Sequence, residues 1–386
     1  MNDVALFTRN LRRQGLARLA LLLLAGMGMA LGFHQTRLDP QISARFFDAA
    51  TQTWPWAARQ PWAWLFDYGT IPGLVLTLFA LGGWGLSHFS AAWAGYRRYW
   101  LLVFLTSIIG GGIIVNGLLK DYWGRPRPRE TVEFGGHWKY LQVCEVGKAG
   151  RGKSFPCGHC TMGYLFTILL FFRKKNKWIA YLGGGFGLLY GILISLARVL
   201  QGAHFAQDTF FAAWVLWLVA TLLAYFVLPL EAPVNLNPAK GWKRLFYGLG
   251  IGLAALAIAA LFLTRRPYVR SYDLTTSWHK DTQAIYLRTN FGINQPLQVR
   301  FAEVDRITVY AEARGLGWPD VVHDFYVADQ WNHATGELTL DLTIYRSGYF
   351  NELDHWLTLT LPLAAQGRVQ IRQEDETSLP PLEVRP

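Results

Sequence analysis

The sequence predicts an all-α, polytopic membrane helix bundle followed by a β-rich soluble domain. Apolar stretches near 20 residues long, about the length that crosses a bilayer, recur through the first two thirds of the chain. Hydrophobic residues make up 52% of the 386 residues and charged residues only 16%, against about 25% charged in ordinary soluble domains. Beyond Arg265 the pattern changes to strand-like alternation of apolar and polar residues.

Seven stretches are apolar enough to predict membrane spans, although the fourth is short. They lie at Leu16–Phe33, Ile71–His88, Trp100–Leu119, Gly158–Phe172, Trp178–Ala197, Thr209–Leu228 and Leu245–Leu263. The first has an apolar core that is long for a cleaved signal peptide, and no A-x-A cleavage site follows it. We therefore expect an uncleaved anchor. Seven spans place the two ends of the chain on opposite sides of the membrane.

Basic residues predict the orientation, because cytoplasmic loops of membrane proteins carry an excess of Lys and Arg. Those on one predicted side are Arg9, Arg12, Arg13, Arg18, Arg97, Arg98, Arg173, Lys174, Lys175, Lys177, Lys240, Lys243 and Arg244. We assign that side to the cytoplasm. The opposing loop, 120–153, carries eight Lys or Arg, which an anionic ligand would explain. The net charge of +11 does not predict nucleic-acid binding, because no aromatic-basic or zinc motif accompanies it.

Two further regions lie outside the predicted bundle. Segment 34–70 carries Trp54, Trp56, Trp62 and Trp64, and predicts one or two helices lying in the headgroup layer. In the last third, "QPLQVRFAEV", "RITVYAEA", "ELTLDLTIYR" and "WLTLTLPL" predict strands. The predicted domains are therefore a helical core at 1–230, a linker with a seventh helix at 231–264 and a β-rich, periplasmic domain at 265–386.

Three polar clusters lie at span ends, all on the predicted outer side. They are Lys120 with Arg127-Pro128 six residues on, Pro156-Cys157-Gly158-His159, and Arg198, His204 and Asp208 separated by five and three residues. Three cations from separate helix ends suit the oxygens of a phosphoryl group. Gly158 lets backbone N–H groups approach an anion at a helix N-terminus.

The histidines suggest how such a site would work. His204 and Asp208 stand four apart, so one helical face can bring them together. The carboxylate can then hold one imidazole nitrogen protonated and leave the other for nucleophilic attack. His159, from a different helix, remains to protonate the leaving oxygen. Each cluster alone is more simply explained as a solvated loop or a helix-end hydrogen bond, but their combination in this order is a strong signal.

The three clusters resemble the K-x6-R-P, P-S-G-H and S-R-x5-H-x3-D signature of type 2 phosphatidic acid phosphatases, the PAP2 superfamily. The resemblance covers roughly residues 15–230. It implies a six-helix core and metal-independent phosphate hydrolysis through a phosphohistidine, with no cofactor. Carried over by position, it implies His204 as nucleophile, Asp208 as its partner and His159 as general acid. It also implies a phosphate site formed by Lys120, Arg127, Arg198, Cys157 and Gly158.

The sequence departs from this signature in two places. Ala197 stands where the third motif often has Ser, and we expect little effect. Cys157 replaces the Ser of the second motif, and a thiol is a weaker donor than a hydroxyl. One donor to a charged ligand is worth about 1–3 kcal/mol. We therefore expect the substitution to weaken phosphate binding without abolishing the site. Arg125 also precedes a proline, but only Arg127 has the six-residue gap, so Arg125 is secondary.

Alternative functions remain open from the sequence. A phosphotransferase that passes phosphate to an acceptor lipid would use the same residues. Cys157 and Cys160 form a C-G-H-C tetrad typical of thiol–disulfide oxidoreductases, although no strand is predicted before it. A catalytically inactive binding protein is disfavoured by the His–Asp pair. A Cys144–Cys160 disulfide is a further hypothesis for an oxidising periplasm.

The predicted protein is thus a multi-pass enzyme of the bacterial inner membrane with a periplasmic active site. Its predicted partners are a lipid phosphate substrate and membrane lipids, with no nucleic acid. Candidate substrates are undecaprenyl pyrophosphate, phosphatidylglycerophosphate, phosphatidate and lipid A, and the sequence does not distinguish among them.

Overall fold

The computed structural model describes residues 2–136, 138–149, 152–231, 241–263, 267–289, 298–367, 370–375 and 382–384. The chain divides into two compact units. The first comprises Met1–Asp48, Trp54–Pro128 and Leu141–Ala260. The second comprises Ala49–Thr53, Arg129–Tyr140 and Leu261–Pro386. The first unit is helical, and the second contains the β-sheet. Residues 232–240 of the predicted linker lie outside the described residues.

The α-helices are α1 (Asn2–Thr36), α2 (Leu38–Ala44), α3 (Trp62–Tyr68), α4 (Ile71–Leu86), α5 (Ala91–Ala94), α6 (Arg97–Leu105), α7 (Lys120–Tyr122), α8 (Gly158–Tyr164), α9 (Lys177–Leu200), α10 (Ala206–Leu222) and α11 (Trp242–Leu263). Segments Thr106–Leu119 and Leu223–Val227 are π-helical. Segments Pro128–Glu130, Val132–Phe134, Leu165–Lys174 and Leu363–Ala365 are 3₁₀-helical.

Within the described ranges, five continuous helices are long and apolar enough to cross a membrane. They are Arg9–Thr36, Trp62–Leu86, Arg97–Tyr122, Lys177–Leu200 and Ala206–Val227. These helices cover the first, second, third, fifth and sixth predicted spans, so the prediction of a multi-pass helical membrane protein is confirmed. The fourth and seventh spans stay predictions. The apolar part of α11, Tyr247–Ala257, is shorter than the five.

The fourth predicted span has an unusual helical geometry. The seven residues of α8 continue directly into the ten-residue 3₁₀ segment Leu165–Lys174. A 3₁₀-helix rises about 2.0 Å per residue, against about 1.5 Å in an α-helix. The combined segment is therefore about 30 Å long, which matches the hydrocarbon thickness of a bilayer. Tighter winding gives this short apolar stretch the length of a membrane span.

Small residues allow this segment to lie directly against α9. A Cβ atom placed on Gly187 would lie 2.5 Å from the backbone nitrogen of Thr167, and one on Gly163 would lie 2.8 Å from the Cα atom of Gly191. Asn176 caps the start of α9, because its Oδ1 accepts hydrogen bonds from two backbone N–H groups, at 3.0 and 3.1 Å. Backbone-to-backbone packing thus fixes the position of α8 and of the residues that precede it.

The buried core of the helical unit lies among the membrane-length helices. Tyr99 and Trp100 at the start of the third of these helices pack on Phe172, with ring centroids 5.0 and 4.9 Å apart. Leu216 of α10 and Leu102 of α6 are fully buried in the same cluster. Aromatic packing therefore closes the end of the bundle at which α6 begins.

Segment 34–70 is only in part a surface structure. Trp56 and Trp64 are 40% and 51% exposed, in keeping with the predicted headgroup location. Trp54 is instead buried, and a Cβ atom on Gly202 would lie 2.2 Å from its indole ring. Gly202 has a φ of +60°, a conformation that favours glycine. Trp54 therefore packs against the turn that follows α9, and the predicted location of the segment in the headgroup layer stays a prediction.

The second unit contains a seven-stranded sheet within the described residues. Its strands are β1 (Pro267–Ser277), β2 (Ala284–Thr289), β3 (Gln298–Ala302), β4 (Arg306–Asn332), β5 (Glu337–Pro362), β6 (Gln370–Asp375) and β7 (Leu382–Val384). The order is β1-β4-β5-β2-β6-β7, and β3 also pairs with β5. Pairs β1–β4, β4–β5 and β6–β7 are antiparallel, whereas β2 pairs parallel with β5 and β6 and β3 pairs parallel with β5.

The β-rich C-terminal region is confirmed, with one difference in its strands. The predicted strands "ELTLDLTIYR" and "WLTLTLPL" are parts of a single strand, β5. The strand continues between them because β4 pairs with it along most of its length, with register shifts near Trp318. The sheet buries one apolar cluster that includes Ile285, Leu340 and Leu359.

We predict that Gly187→Ala destabilises the helical unit and that Gly185→Ala does not. At Gly187 the added methyl would strike the backbone of the 3₁₀ segment, at a cost of about 1–3 kcal/mol. At Gly185, two residues away on the same helix, nothing lies within 4 Å. Thermal unfolding in detergent should show a lower Tm for the first variant alone. Equal Tm values would contradict the close packing of the two segments.

Candidate active site

A buried arginine joins three parts of the helical unit. The guanidinium of Arg125 is fully buried between two carboxylates, donating from Nη2 to Asp39 Oδ2 at 2.7 Å and from Nη1 to Asp208 Oδ1. Its Nε donates to the carbonyl of Leu141 at 2.9 Å, and its guanidinium lies over the ring of Phe205. Arg125 therefore has a structural role, which agrees with assigning Arg127 rather than Arg125 to the ligand.

The Asp208 carboxylate organises the start of α10. Its Oδ2 accepts hydrogen bonds from Ser154 Oγ at 2.6 Å and from the backbone N–H of Phe205 at 2.8 Å. The second bond is half of a capping box, since Phe205 precedes the first helical residue. The backbone carbonyl of Asp208 also accepts a hydrogen bond from the N–H of Cys157, at 3.2 Å. Asp208 thus ties the segment before α8 to the start of α10.

The His204 ring is held by a backbone carbonyl. His204 Nδ1 lies 2.6 Å from the carbonyl oxygen of Ser154. A carbonyl oxygen can only accept, so Nδ1 carries a proton, and in the neutral ring the lone pair is on Nε2. His204 Nδ1 lies 3.9 Å from Asp208 Oδ2, too far for a hydrogen bond.

This arrangement corrects the predicted His–Asp geometry. The four-residue spacing predicted that His204 and Asp208 share one helical face. Helix α10 begins at Ala206, so His204 precedes the helix. Asp208 orients the imidazole indirectly, because it binds the hydroxyl of the same Ser154 whose carbonyl holds the ring.

His159 and Arg198 meet on a shared aromatic ring. The His159 imidazole stacks on Phe66 of α3, with centroids 5.3 Å apart. The Arg198 guanidinium lies over that same ring at 4.5 Å. Arg198 Nη1 also donates to Gln201 Oε1 at 2.6 Å. Both predicted site residues are nearly fully buried, so Phe66 sets the spacing between a predicted acid and a predicted phosphate ligand.

The remaining predicted residues lie on the adjoining segments. Lys120 and Arg127 are also buried, at 6% and 3% exposure. Lys120 lies four residues beyond Asn116, and a Cβ atom on Gly158 would lie 2.2 Å from Asn116 Oδ1. Gly158 is therefore required for close approach of a side chain as well as for any approach of a ligand.

Several charged side chains are buried in this part of the helical unit. Lys120, Arg125, Arg127 and Arg198 are buried cations, and Asp39 and Asp208 are buried carboxylates. Arg125 pairs with both carboxylates. Lysine and arginine side chains are the groups that suit the oxygens of a phosphoryl ligand.

The cysteines form a different pairing from the one predicted. Cys157 and Cys160 are joined by a disulfide, and Cys144 is a free, exposed cysteine. The hypothesis of a Cys144–Cys160 bond is therefore wrong. Cys157 Sγ accepts a hydrogen bond from the Cys160 N–H at 3.3 Å, which caps α8. A disulfide sulfur has no S–H group, so Cys157 does not supply the thiol donor expected from the sequence.

The disulfide does not lie in an oxidoreductase setting. Residues 152–157 form no strand ahead of the tetrad. A thioredoxin-like motif would follow a strand of a βα unit. The structure therefore gives no support to the oxidoreductase alternative.

Comparison with known proteins identifies the family. The model of the PAP2 superfamily matches residues 100–231, a range that contains every predicted site residue. Lipid A 4′-phosphatase from Francisella tularensis subsp. novicida is 31% identical over 164 residues, covering 40% of this chain and 68% of the relative. The chain belongs to the PAP2 superfamily. It is a membrane phosphatase of that superfamily, and the resemblance noted in its motifs is confirmed.

Two further proteins match parts of the chain. Lipid A 4′-phosphatase from Rhizobium leguminosarum is 36% identical over 123 residues, which are 31% of this chain and about half (51%) of the relative. A solved PAP2-type phosphatidylglycerolphosphate phosphatase from Bacillus subtilis is 22% identical, with a TM-score of 0.34. That comparison covers 53% of this chain and 92% of the solved one.

Sequence reasoning missed three residues that hold the site together. Asp39 lies in a short helix outside the PAP2 match, Ser154 lies two residues before the second motif, and Phe66 lies close in sequence to Trp62 and Trp64. Segment 34–70 has three acidic residues, Asp39, Asp48 and Asp67, and no pattern in the sequence distinguishes Asp39 from the other two. No signal marks Phe66 either.

We predict that Asp39→Asn destabilises the protein strongly. Removing one partner of a buried ion pair leaves an uncompensated charge and costs about 3–5 kcal/mol. Asp121→Asn is the matched control, because Asp121 pairs with Lys153 at 2.8 Å and its side chain is 41% exposed. An exposed pair is worth about 1 kcal/mol or less. Unfolding midpoints in detergent should separate the two variants, and equal midpoints would contradict the role of Asp39.

We also predict that only Cys144 reacts with an alkylating reagent when the protein is denatured without reductant. Mass spectrometry should then find one modified cysteine, and three after prior reduction. Cys144→Ser should show none without reductant. Three modified cysteines without reductant would show that the Cys157–Cys160 bond does not form.

Proposed function

We propose that this chain is a metal-independent lipid phosphatase that transfers the phosphoryl group of its substrate to His204 and then to water. The observation that carries the proposal is the hydrogen bond between His204 Nδ1 and the Ser154 carbonyl. This bond fixes the tautomer in which Nε2 has the lone pair. A nucleophile needs its lone pair available at neutral pH and its orientation fixed in advance.

In the first step, Nε2 of His204 attacks phosphorus and the bond to the lipid oxygen breaks. The His204 ring becomes a phosphoimidazolium, whose Nδ1 proton remains bonded to the Ser154 carbonyl. His159 protonates the departing lipid oxygen, so the lipid leaves as an alcohol, or as a phosphorylated lipid when the substrate is a pyrophosphate. The stacking of His159 on Phe66 keeps the proton donor in a fixed direction.

In the second step, water hydrolyses the phosphohistidine. His159 accepts a proton from the attacking water, and inorganic phosphate is released while Nε2 regains its lone pair. The same two histidines therefore serve both steps, and the enzyme returns to its starting protonation state.

The buried cations would hold the phosphoryl oxygens in both steps. Lys120, Arg127 and Arg198 approach from three separate segments, which suits three equatorial oxygens of the transition state. N–H groups at the start of α8 add backbone donors near Gly158. Cys157 borders this site through its backbone and its disulfide. Asp208 acts as a positioning residue through Ser154.

We place a lipid phosphate monoester of the lipid A type first among the substrates. Two relatives in the superfamily are lipid A 4′-phosphatases, and they match the part of this chain that carries the motifs. Membrane-length helices around the site suit a substrate whose acyl chains remain in the bilayer.

Helix directions support the proposed orientation. Lys120 and Arg198 lie at the ends of their helices, and Gly158 and Asp208 lie at the starts of theirs. Alternating helices thus bring these residues to one side of the membrane, opposite the basic turn 173–177. The positive-inside tendency places that turn in the cytoplasm. We accordingly propose an inner-membrane enzyme with a periplasmic site, a core at 1–230 and a periplasmic domain at 265–386.

We predict that His204→Ala lowers phosphate release from lipid A in detergent by about 10³-fold or more, as expected for loss of a nucleophile. His34→Ala is the matched control, since His34 is an exposed histidine at the end of α1. Its rate should equal that of the unmodified protein. Unchanged turnover in His204→Ala would overturn the mechanism.

Labelled substrates test the substrate class and the acceptor together. A panel of lipid A, phosphatidylglycerophosphate, phosphatidate and undecaprenyl pyrophosphate ranks the substrates by phosphate release. We expect label from lipid A to leave as free phosphate. Label that appears on a second lipid would show a phosphotransferase on the same site.

A further inference from the structure

A second cleft lies at the other end of the helical unit. Its volume is about 400 Å³, and it opens between α1, α10 and the 3₁₀ segment Leu165–Lys174. Its deeper wall is apolar and aromatic, and includes Leu22, Leu170 and Trp217. Trp214 Nε1 donates to the carbonyl of Leu22 at 2.6 Å, so one wall is fixed by a hydrogen bond between helices.

Three cations line the mouth of this cleft. Arg18 lies over the ring of Tyr225, with its Cζ 5.0 Å from the ring centroid. Lys174 pairs with Glu231 at 2.7 Å in a half-exposed position, and Arg173 is exposed beside it. These four charged residues of the lining carry a net charge of +2. Cations above an apolar wall match the headgroup and chains of an anionic lipid.

The cleft is distinct from the candidate active site. The active-site residues lie at the start of α8, the end of α9 and the start of α10. The cleft residues lie at the opposite ends of the same helices, namely Lys174 after α8, Tyr181 in the first turns of α9 and Leu230 after α10. A ligand in the cleft would therefore lie at the opposite ends of these helices from the candidate active site.

We propose that this cleft binds an anionic phospholipid, with the headgroup phosphate at Arg18, Arg173 and Lys174 and one acyl chain against the apolar wall. Basic pockets between membrane helices bind anionic headgroups for this reason. The site goes beyond the phosphatase function, since it needs neither histidine and takes a phosphodiester that the active site does not have to hydrolyse. It binds α1 to the rest of the bundle through a lipid.

Native mass spectrometry of the full chain in detergent tests the site, with phosphatidylglycerol, phosphatidylcholine and inorganic phosphate as probes. We expect Arg18→Gln with Arg173→Gln to weaken phosphatidylglycerol binding about tenfold or more. Arg12→Gln with Lys177→Gln removes the same charge from exposed residues outside the cleft and should not weaken it. Leu21→Trp, at a 67% exposed position of the lining, keeps the charge but fills the cleft and should also weaken binding.

Each other outcome overturns the assignment. If both double variants weakened phosphatidylglycerol binding equally, the lipid would be attracted by the surface charge of the protein as a whole and not bound in the cleft. Phosphatidylcholine binding as tightly as phosphatidylglycerol would mean a chain-binding groove without headgroup selection. Inorganic phosphate that competes fully, with no effect of Leu21→Trp, would mean a free-anion site. Phosphate release by these variants reports separately on the active site, so failure here leaves the proposed function unaffected.

Discussion

The buried ion pairs of Arg125 are the interaction on which the rest of the site depends. Its guanidinium connects α2 through Asp39 and α10 through Asp208, while its carbonyl accepts the N–H of Ser154 at 3.0 Å. The carboxylates of Asp39 and Asp208 and the carbonyl of Leu141 accept hydrogen bonds from the guanidinium, and they offset the cost of burying its charge. Because Ser154 is fixed from both sides, by Arg125 and Asp208, its own carbonyl can hold His204. The orientation of the proposed nucleophile is thus set by charged residues that are not themselves proposed to bind phosphate.

This dependence explains why the sequence revealed part of the site only. The residues proposed to bind phosphate follow the fixed spacings of the PAP2 signature, so Lys120 and His159 could be proposed from the sequence. Asp39 lies 86 positions from Arg125, and no local pattern connects them. The four-residue spacing of His204 and Asp208 was misleading, since a helix start falls between them.

The fold was predictable where one physical constraint dominates. Bilayer thickness fixes the length of an apolar helix, so hydropathy located five spans. Hydropathy carries no information on helical pitch, and the 3₁₀ winding of Leu165–Lys174 was not predicted. Alternation located both ends of β5, but the polar stretch "SGYFNELD" interrupts that pattern. Pairing with β4, a tertiary interaction, continues the strand through it.

The Cys157–Cys160 bond places a redox couple on either side of a proposed acid. With the bond intact, the first turn of α8 is a closed covalent ring containing His159, and its sulfur atoms only accept hydrogen bonds. With the bond reduced, the same position regains a proton donor and loses the ring. One polypeptide therefore specifies two chemically different helix ends. The redox potential of the compartment in which the chain folds selects between them. The chemistry of this helix end therefore depends on both the sequence and the compartment.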